Sequence, residues 1–261
     1  MVYKRNFLTL AKKPTMGIGS IFFFLFIVFV FGPFAILIGW IIKKSTRKLS
    51  NPELQNERLK LEHYVNSVLP SLAPLSSPNQ IVNDIRCSYS KGFSIRSEGC
   101  IYSQYGQPVL AFSAVHRGIY TNERIVLKSS NLSFYIEVYK VDKKIELNGR
   151  TFGYIDGAKT IYDANRKRVG YVRILKKNFE IVMNGRPVAS LNYSEAGITK
   201  TLNLFSELSS NRKAAFNIVE TLEDNLSEEE KQWIICLIAY EMIHNQLLPP
   251  VSHTSRSGAW R

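Results

Sequence analysis

The chain has 261 residues, of which 45% are apolar, and this balance excludes a disordered or collagen-like polypeptide. The formal net charge of +13 does not indicate a nucleic-acid partner, because eight Lys or Arg and no acid fall within residues 1–48 and residues 49–261 carry only +5. Three cysteines are too few for a disulfide framework, although a Cys87–Cys100 pair is compatible with the sequence.

The first predicted element is a transmembrane helix at residues 16–42, preceded by a basic tail at residues 1–15. These 27 residues contain no charge, and about 20 apolar residues suffice to span a bilayer. The run is too long for the core of a signal peptide, and it ends in Trp40 and Lys43-Lys44 instead of a small-residue cleavage site. The sequence therefore predicts an uncleaved single-pass anchor, kinked at Gly32-Pro33.

The orientation of this anchor is predicted from its flanks, both of which are basic. Four Lys or Arg precede the segment and six follow within about 20 residues, which favours a C-terminal domain on the cytoplasmic side of the membrane. The cysteines look unpaired, which fits a reducing compartment. The opposite orientation would make the C-terminal part an extracytoplasmic structural domain without a ligand.

Residues 43–80 are interpreted as a juxtamembrane amphipathic helix followed by a Pro/Ser linker. Asn51-Pro52 offers a helix start, and apolar residues recur at helical spacing from Leu54 to Leu69. Such a helix lies either in the headgroup layer or against the following domain, and both alternatives are open. Prolines 70, 74 and 78, with serines between them, predict a stiff connector.

A domain at residues 81–248 is predicted to consist mainly of short antiparallel strands. Asn148-Gly149, Asp156-Gly157 and Asn184-Gly185 supply the positive φ angles that two-residue hairpin turns require. Upstream, Gly92, Gly99, Gly106 and Gly118 are expected to separate strands at 93–96, 100–105, 109–115 and 119–127. Ten to twelve strands in a consecutive meander should close into a barrel or sandwich.

Two helices are expected after the strands. Residues 212–224 have the spacing of an ordinary amphipathic helix, and a capping box from Ser227 to Glu230 starts a helix at 228–246. Residues 233–240 are eight consecutive apolar positions, so this helix must be buried on all sides. They cover only about 12 Å of a roughly 30 Å hydrocarbon layer, which favours burial inside the strand domain. A disordered tail is expected at 249–261.

Two stretches of the chain resemble the tubby-like superfamily, which includes the phospholipid scramblases and the plant LURP-one-related proteins. Residues 162–172, YDANRKRVGYV, are similar to the family's recurrent strand–turn–strand unit, although Arg166 stands where a turn glycine is more usual. Residues 230–244 are similar to its core helix. The resemblance spans residues 86–248 and implies an antiparallel meander closed as a barrel around the C-terminal apolar helix. It also implies lipid scrambling, or its regulation, as an alternative function.

Catalytic chemistry is not indicated by any pattern in the sequence. The four histidines lie far apart without metal-ligand spacing, and nucleotide-binding, hydrolase and metalloprotease motifs do not occur. Cys236 and His244 are interpreted as a packed thiol and a helix-end histidine. Glu241 is expected to end the buried part of the helix and to meet water or an arginine. The expectation is a protein that is not an enzyme and needs no metal or cofactor.

Basic turns are the remaining candidate for function. Alternate turns of a meander share one end, so the 148–149, 166–167 and 184–185 turns meet at one end, and Lys143-Lys144, Asp156-Gly157 and Lys176-Lys177 meet at the other. The first end carries the candidate lipid-binding residues Arg150, Arg166, Lys167, Arg168 and Arg186. Each basic residue near an anionic surface contributes about 1 kcal/mol. The alternative is that these are solvated turn tips that keep the sheet soluble.

The sequence as a whole predicts a non-enzymatic, single-pass membrane protein. Its tubby-like domain would bind anionic phospholipid headgroups or a protein partner at the membrane surface.

Overall fold

The computed structural model describes residues 26, 29–40, 43, 49–91, 94–117, 122–175, 178–192 and 217–247. The chain divides into two compact units, Met1–Ser45 and Thr46–Arg261. The tails predicted at 1–15 and 249–261 lie outside the described residues.

The first unit contains helical residues 29–40, here called α1, whose large apolar side chains are mostly exposed. Among the described residues, no helix has both the length and the apolar character needed to cross a membrane. The transmembrane helix predicted at 16–42, and with it the single-pass assignment, is therefore wrong. The described helical run of 29–40 accounts for only about 18 Å of a roughly 30 Å hydrocarbon layer. Residues 16–25, 27, 28, 41 and 42 lie outside the described part.

The described part of the second unit consists of a helix, twelve strands and a final helix. Helix α2 (Asn51–Val68) is followed by two short 3-10 turns at Leu69–Ser71 and Pro78–Gln80. The strands are β1 (Ile81–Lys91), β2 (Ser94–Ser103), β3 (Pro108–Arg117), β4 (Asn122–Lys128), β5 (Ser133–Tyr139), β6 (Asp142–Leu147), β7 (Arg150–Ile155), β8 (Thr160–Asp163), β9 (Arg168–Ile174), β10 (Asn178–Met183), β11 (Arg186–Asn192) and β12 (Val219–Leu222). Helix α3 (Glu228–Leu247) is the last of the described elements.

The twelve strands form one antiparallel sheet in which sequence neighbours are also spatial neighbours, from β1 to β12. An isolated bridge between Val82 and Asn217 brings β1 against the chain just before β12. The sheet is therefore a nearly closed barrel, and the predicted consecutive meander is present.

Several turns follow the predicted chemistry. Asn148 and Gly149 have φ angles of 51° and 79°, and Asn184 and Gly185 have φ angles of 52° and 81°, as two-residue hairpin turns require. Arg166 is also left-handed, at 63°. The turn after β7 is longer than expected, because Lys159, at 64°, takes the left-handed position instead of Gly157.

Two local predictions are wrong. Gly99 is not a turn but lies within β2, where an added Cβ would meet the Arg86 carbonyl oxygen at 2.1 Å, so the strands predicted at 93–96 and 100–105 are one strand. The helix predicted at 212–224 is also incorrect, because Val219–Leu222 form β12 and pair with β11. Residues 212–216 lie outside the described part.

Helix α3 begins at the predicted capping box, since the Ser227 amide donates to Glu230 Oε2 at 2.9 Å and the Glu230 amide donates to Ser227 Oγ at 3.2 Å. Residues 233–240 are all buried and belong to one core cluster with side chains from most of the strands. The Trp233 ring packs 4.6 Å from that of Phe152 on β7. The apolar surface of this helix is thus covered by the sheet.

Helix α2 packs against the sheet, which decides between the two alternatives left open by the sequence. Leu61 and Val65 form a second apolar cluster with residues of β3, β4 and β5, including Val115, Val126 and Tyr135. The connector that follows is also attached to the domain, since its Ala73 amide donates to the Pro108 carbonyl at 2.8 Å.

Candidate functional site

The meander places its turns alternately at two ends of the barrel. The arginine end is defined here by the turns at 148–149, 164–167 and 184–185. The lysine end is defined by the turns at 140–141 and 156–159 and by residues 174–175. Helix α3 starts at the arginine end, where Glu230 meets Arg186, and finishes at the lysine end, where His244 meets Glu123.

The arginine end carries the five residues predicted to bind lipid. Arg150, Arg166, Lys167 and Arg168 are exposed, and the Arg166 guanidinium lies 4.1 Å from the centroid of the Tyr154 ring. Arg186 has a structural role, because its Nη2 donates to Glu230 Oε2 and to the Asn225 carbonyl, both at 2.9 Å. It fixes the start of α3 to the sheet. Lipid binding by these residues stays a prediction.

The lysine end contains a cavity of about 130 Å³ that sequence reasoning did not identify. Its apolar lining comes from several strands and from α3, and includes Val138, Ile155, Val172, Phe179, Ile181, Leu191 and Leu237. Its polar lining consists of Lys140, Lys143, Asp156, Lys159, Tyr240, Glu241 and His244. The cavity therefore has an apolar interior and several charged groups around it.

The charged groups of this cavity influence one another. Burial lowers the pKa of Lys159, and Lys143 adds to this effect while Glu241 opposes it. The Lys143 Nζ lies 5.1 Å from the centroid of the Tyr240 ring. Asp156 accepts hydrogen bonds from the Thr160 amide at 2.8 Å and from the Tyr162 hydroxyl at 3.0 Å. Burial raises the pKa of Asp156, but the hydrogen bonds lower this pKa by a larger amount, so the net change is downward.

Beside the cavity, a fully buried carboxylate collects three hydrogen-bond donors. His244 Nδ1 lies 2.7 Å from Glu123 Oε1, and His116 Nδ1 lies 3.1 Å from the same oxygen. The Tyr240 hydroxyl donates to Glu123 Oε2 at 3.2 Å. Because a carboxylate only accepts, both rings carry their proton on Nδ1. The group ties β3 and β4 to the C-terminal half of α3.

This arrangement changes the acidity of its members. Burial raises the pKa of Glu123, but the hydrogen bonds and positive charge of His116 and His244 outweigh it, and the pKa falls to about 2. Burial lowers the pKa of His244, yet its bond to Glu123 prevails and the net shift is upward. Burial and the adjacent Glu123 raise the pKa of Tyr240. The result is a carboxylate that stays ionised inside the protein.

The sequence offered partial indications of this cluster. His116 and Glu123 are paired across β3 and β4, on the two sides of one hairpin. Tyr240 and His244 are four residues apart and therefore share a helix face, where their rings stack at 5.4 Å. Only the barrel topology brings the two pairs together.

The other residues considered as candidates from the sequence are Glu241 and the cysteines. Glu241 is half-buried at the cavity and interacts electrostatically with Lys159, whereas an arginine or water was expected. Cys87, Cys100 and Cys236 are free thiols, and burial raises the pKa of Cys236. In the part of the chain that the structure describes, no three His, Cys, Asp or Glu side chains are arranged to hold a metal ion.

The resemblance to the tubby-like superfamily rests on the two stretches of sequence given above. A comparison of the chain with protein-family models, with curated proteins and with solved structures finds no match.

Proposed function

We propose that residues 46–261 form a non-enzymatic, tubby-like domain that binds anionic phospholipid headgroups at a membrane surface through its lysine end. The observation that carries this proposal is the combination, at that end, of exposed apolar side chains with lysines. Val141 is 61% exposed, Ile174 is 50% exposed and Leu175 is 45% exposed, and Lys140 is adjacent to Val141.

The exposed apolar side chains are unevenly distributed over the domain. Five large apolar side chains are exposed on the strands and turns that the structure describes, and four of them, Tyr139, Val141, Ile174 and Leu175, lie at the lysine end. The fifth, Tyr105, lies in the turn between β2 and β3. Such tips can enter the boundary between headgroups and acyl chains, where their removal from water is favourable. The alternative, turn tips that only contact water, does not explain why these exposed side chains are apolar.

The lysines at the same end favour an anionic surface. Lys140 is exposed, Lys143 is half-buried, and each basic residue close to anionic lipid contributes about 1 kcal/mol. Two acids also lie at this end: Asp142 is exposed beside Val141, and the Asp156 carboxylate accepts hydrogen bonds from Thr160 and Tyr162 within its own turn. Among the described residues, the arginine end, which the sequence favoured, combines its exposed cations with one exposed large apolar side chain, Tyr105. Geometry thus supports the lysine end over the arginine end.

Vesicle co-sedimentation of the full chain tests this proposal. Phosphatidylcholine vesicles with and without phosphatidylserine are compared, so that binding specific for anionic lipid is the difference between them. We expect Lys140→Gln/Lys143→Gln to weaken the affinity for the vesicles with phosphatidylserine by roughly thirtyfold, at about 1 kcal/mol for each lysine. Arg150→Gln/Lys167→Gln removes the same charge from the arginine end and should have little effect.

Two results would contradict the proposal. Equal binding of the wild-type chain to both kinds of vesicle would remove the role of anionic lipid. A loss confined to the Arg150→Gln/Lys167→Gln variant would place the lipid contact at the arginine end.

A further inference from the structure

The cavity at the lysine end extends inward from the surface that we propose to contact lipid. Side chains of three strands and of α3 form its interior: Ile155 is 3% exposed, Ile181 is 0% exposed, Leu191 is 1% exposed and Leu237 is 6% exposed. These residues belong to the main core of the barrel. The inner wall of the cavity is therefore part of the packed core of the barrel.

The size of the cavity limits what can occupy it. An engineered apolar cavity of about 150 Å³ in another protein holds benzene, which has six carbon atoms. The present cavity, at about 130 Å³, therefore has room for about five or six carbon atoms. A short alkyl chain fits this volume, whereas a complete long acyl chain does not.

The charges around the cavity favour a negative group at its opening. Three lysines, Lys140, Lys143 and Lys159, line it together with two carboxylates, Asp156 and Glu241. Asp156 is hydrogen-bonded within its own turn, and Glu241 interacts with Lys159. His244 also lines the cavity and is held through Nδ1 by the buried Glu123. An anion near Lys143 would thus lie close to three lysines, at an opening that also holds the carboxylates of Asp156 and Glu241.

We infer that this cavity binds a single-chain amphiphile with a carboxylate head, its alkyl chain among Ile155, Ile181 and Leu237 and its carboxylate near Lys143. The inference goes beyond the proposed function, because the ligand is a soluble molecule that binds inside the barrel and requires no membrane. The two ideas share Lys143 but make separate predictions.

Equilibrium dialysis of the full chain against radiolabelled carboxylates tests the inference without vesicles. Affinity should rise about fourfold for each added CH₂ from butanoate to hexanoate, because each group leaves water for an apolar site. The gain should stop between hexanoate and octanoate, where the cavity is full. Hexylammonium, which has a similar chain and the opposite charge, should bind roughly tenfold more weakly than hexanoate.

Variants separate the alkyl contact from the charge contact. Ile181→Phe fills the cavity and should abolish hexanoate binding, with folding checked by circular dichroism. Lys143→Met keeps the aliphatic stem and should weaken hexanoate several-fold while leaving binding of uncharged 1-hexanol unchanged. Lys167→Met, at the arginine end, is the matched control and should change neither ligand.

Three results would overturn the inference: no saturable hexanoate binding by the wild-type chain, affinity independent of chain length, or equal binding of hexanoate and hexylammonium. Failure of the vesicle experiment leaves these readouts intact, so the two proposals can be lost separately.

Discussion

Gly153 on β7 lies at a point where the sheet closely approaches the buried helix. A Cβ at this position would lie 2.2 Å from the Tyr162 carbonyl oxygen and 2.7 Å from Cζ2 of the Trp233 ring. Neither neighbour is the end of a flexible side chain, so the strand and the helix would have to separate. We expect Gly153→Ala to lower the free energy of unfolding by about 2–3 kcal/mol, measured by chemical denaturation.

Gly39 on α1 provides the control for this substitution. An added Cβ there meets nothing within 4 Å, so Gly39→Ala should not lower stability. If Gly153→Ala were as stable as the wild-type chain, Trp233 would not be packed against β7 as described.

At the scale of elements, helix α2 is attached to the sheet by a buried carboxylate. Glu57 is 4% exposed and pairs with Arg117 and, at 2.7 Å, with the buried Arg124. Glu57→Gln would leave the Arg124 charge buried with a neutral partner, at a cost of about 3 kcal/mol. We expect lower stability in chemical denaturation and faster amide hydrogen exchange across 51–68, because the helix is released from β3 and β4.

Glu62 on the same helix is the matched control. Its ion pair with Arg58 is partly exposed, with side-chain exposures of 30% for Arg58 and 25% for Glu62. Glu62→Gln should therefore cost less than about 1 kcal/mol and leave exchange in α2 almost unchanged. Similar effects of the two substitutions would show that Glu57 does not hold the helix.

Elements governed by local chemistry could be predicted from the sequence, and those governed by pairing could not. The capping box at Ser227 and the two Asn-Gly turns are local devices, and the structure confirms them. Val219 and Leu222 are three positions apart, which fits one face of a helix, yet they are the first and last residues of a four-residue strand that pairs with β11. Gly99 suggested a turn, but it is required where β1 and β2 come close together. Both errors concern contacts with another strand.

For the whole molecule, the site was harder to predict than the fold. Alternating hydrophobicity and turns indicated a many-stranded meander, but the buried cluster joins residues 117 and 121 positions apart in the chain. Its assembly depends on the register of β3 with β4 and on the direction in which α3 runs. The apolar run of α3 predicted burial, and only the three-dimensional arrangement shows that its last turns meet Glu123 and line a cavity.

The same cluster makes the stability of the whole domain depend on pH. The pKa of His244 is raised above its ordinary value of 6.5, so its contribution to stability is complete below pH 6.5 and is lost as the pH rises through the higher folded value. The pKa of Glu123 is lowered from 4.5 to about 2, so its contribution is present above pH 4.5 and is lost as the pH falls toward 2. The combined contribution is greatest between these two limits.

We therefore expect the free energy of unfolding to decrease as the pH is raised from 6.5 into the alkaline range, as measured by chemical denaturation at a series of pH values. His244→Gln should make this decrease shallower, because the titrating partner of Glu123 is removed. His63 is exposed on α2, so His63→Gln should retain the wild-type decrease. An unchanged slope in His244→Gln would assign the pH dependence to other groups, and the Glu123 cluster would then not link α3 to the sheet energetically.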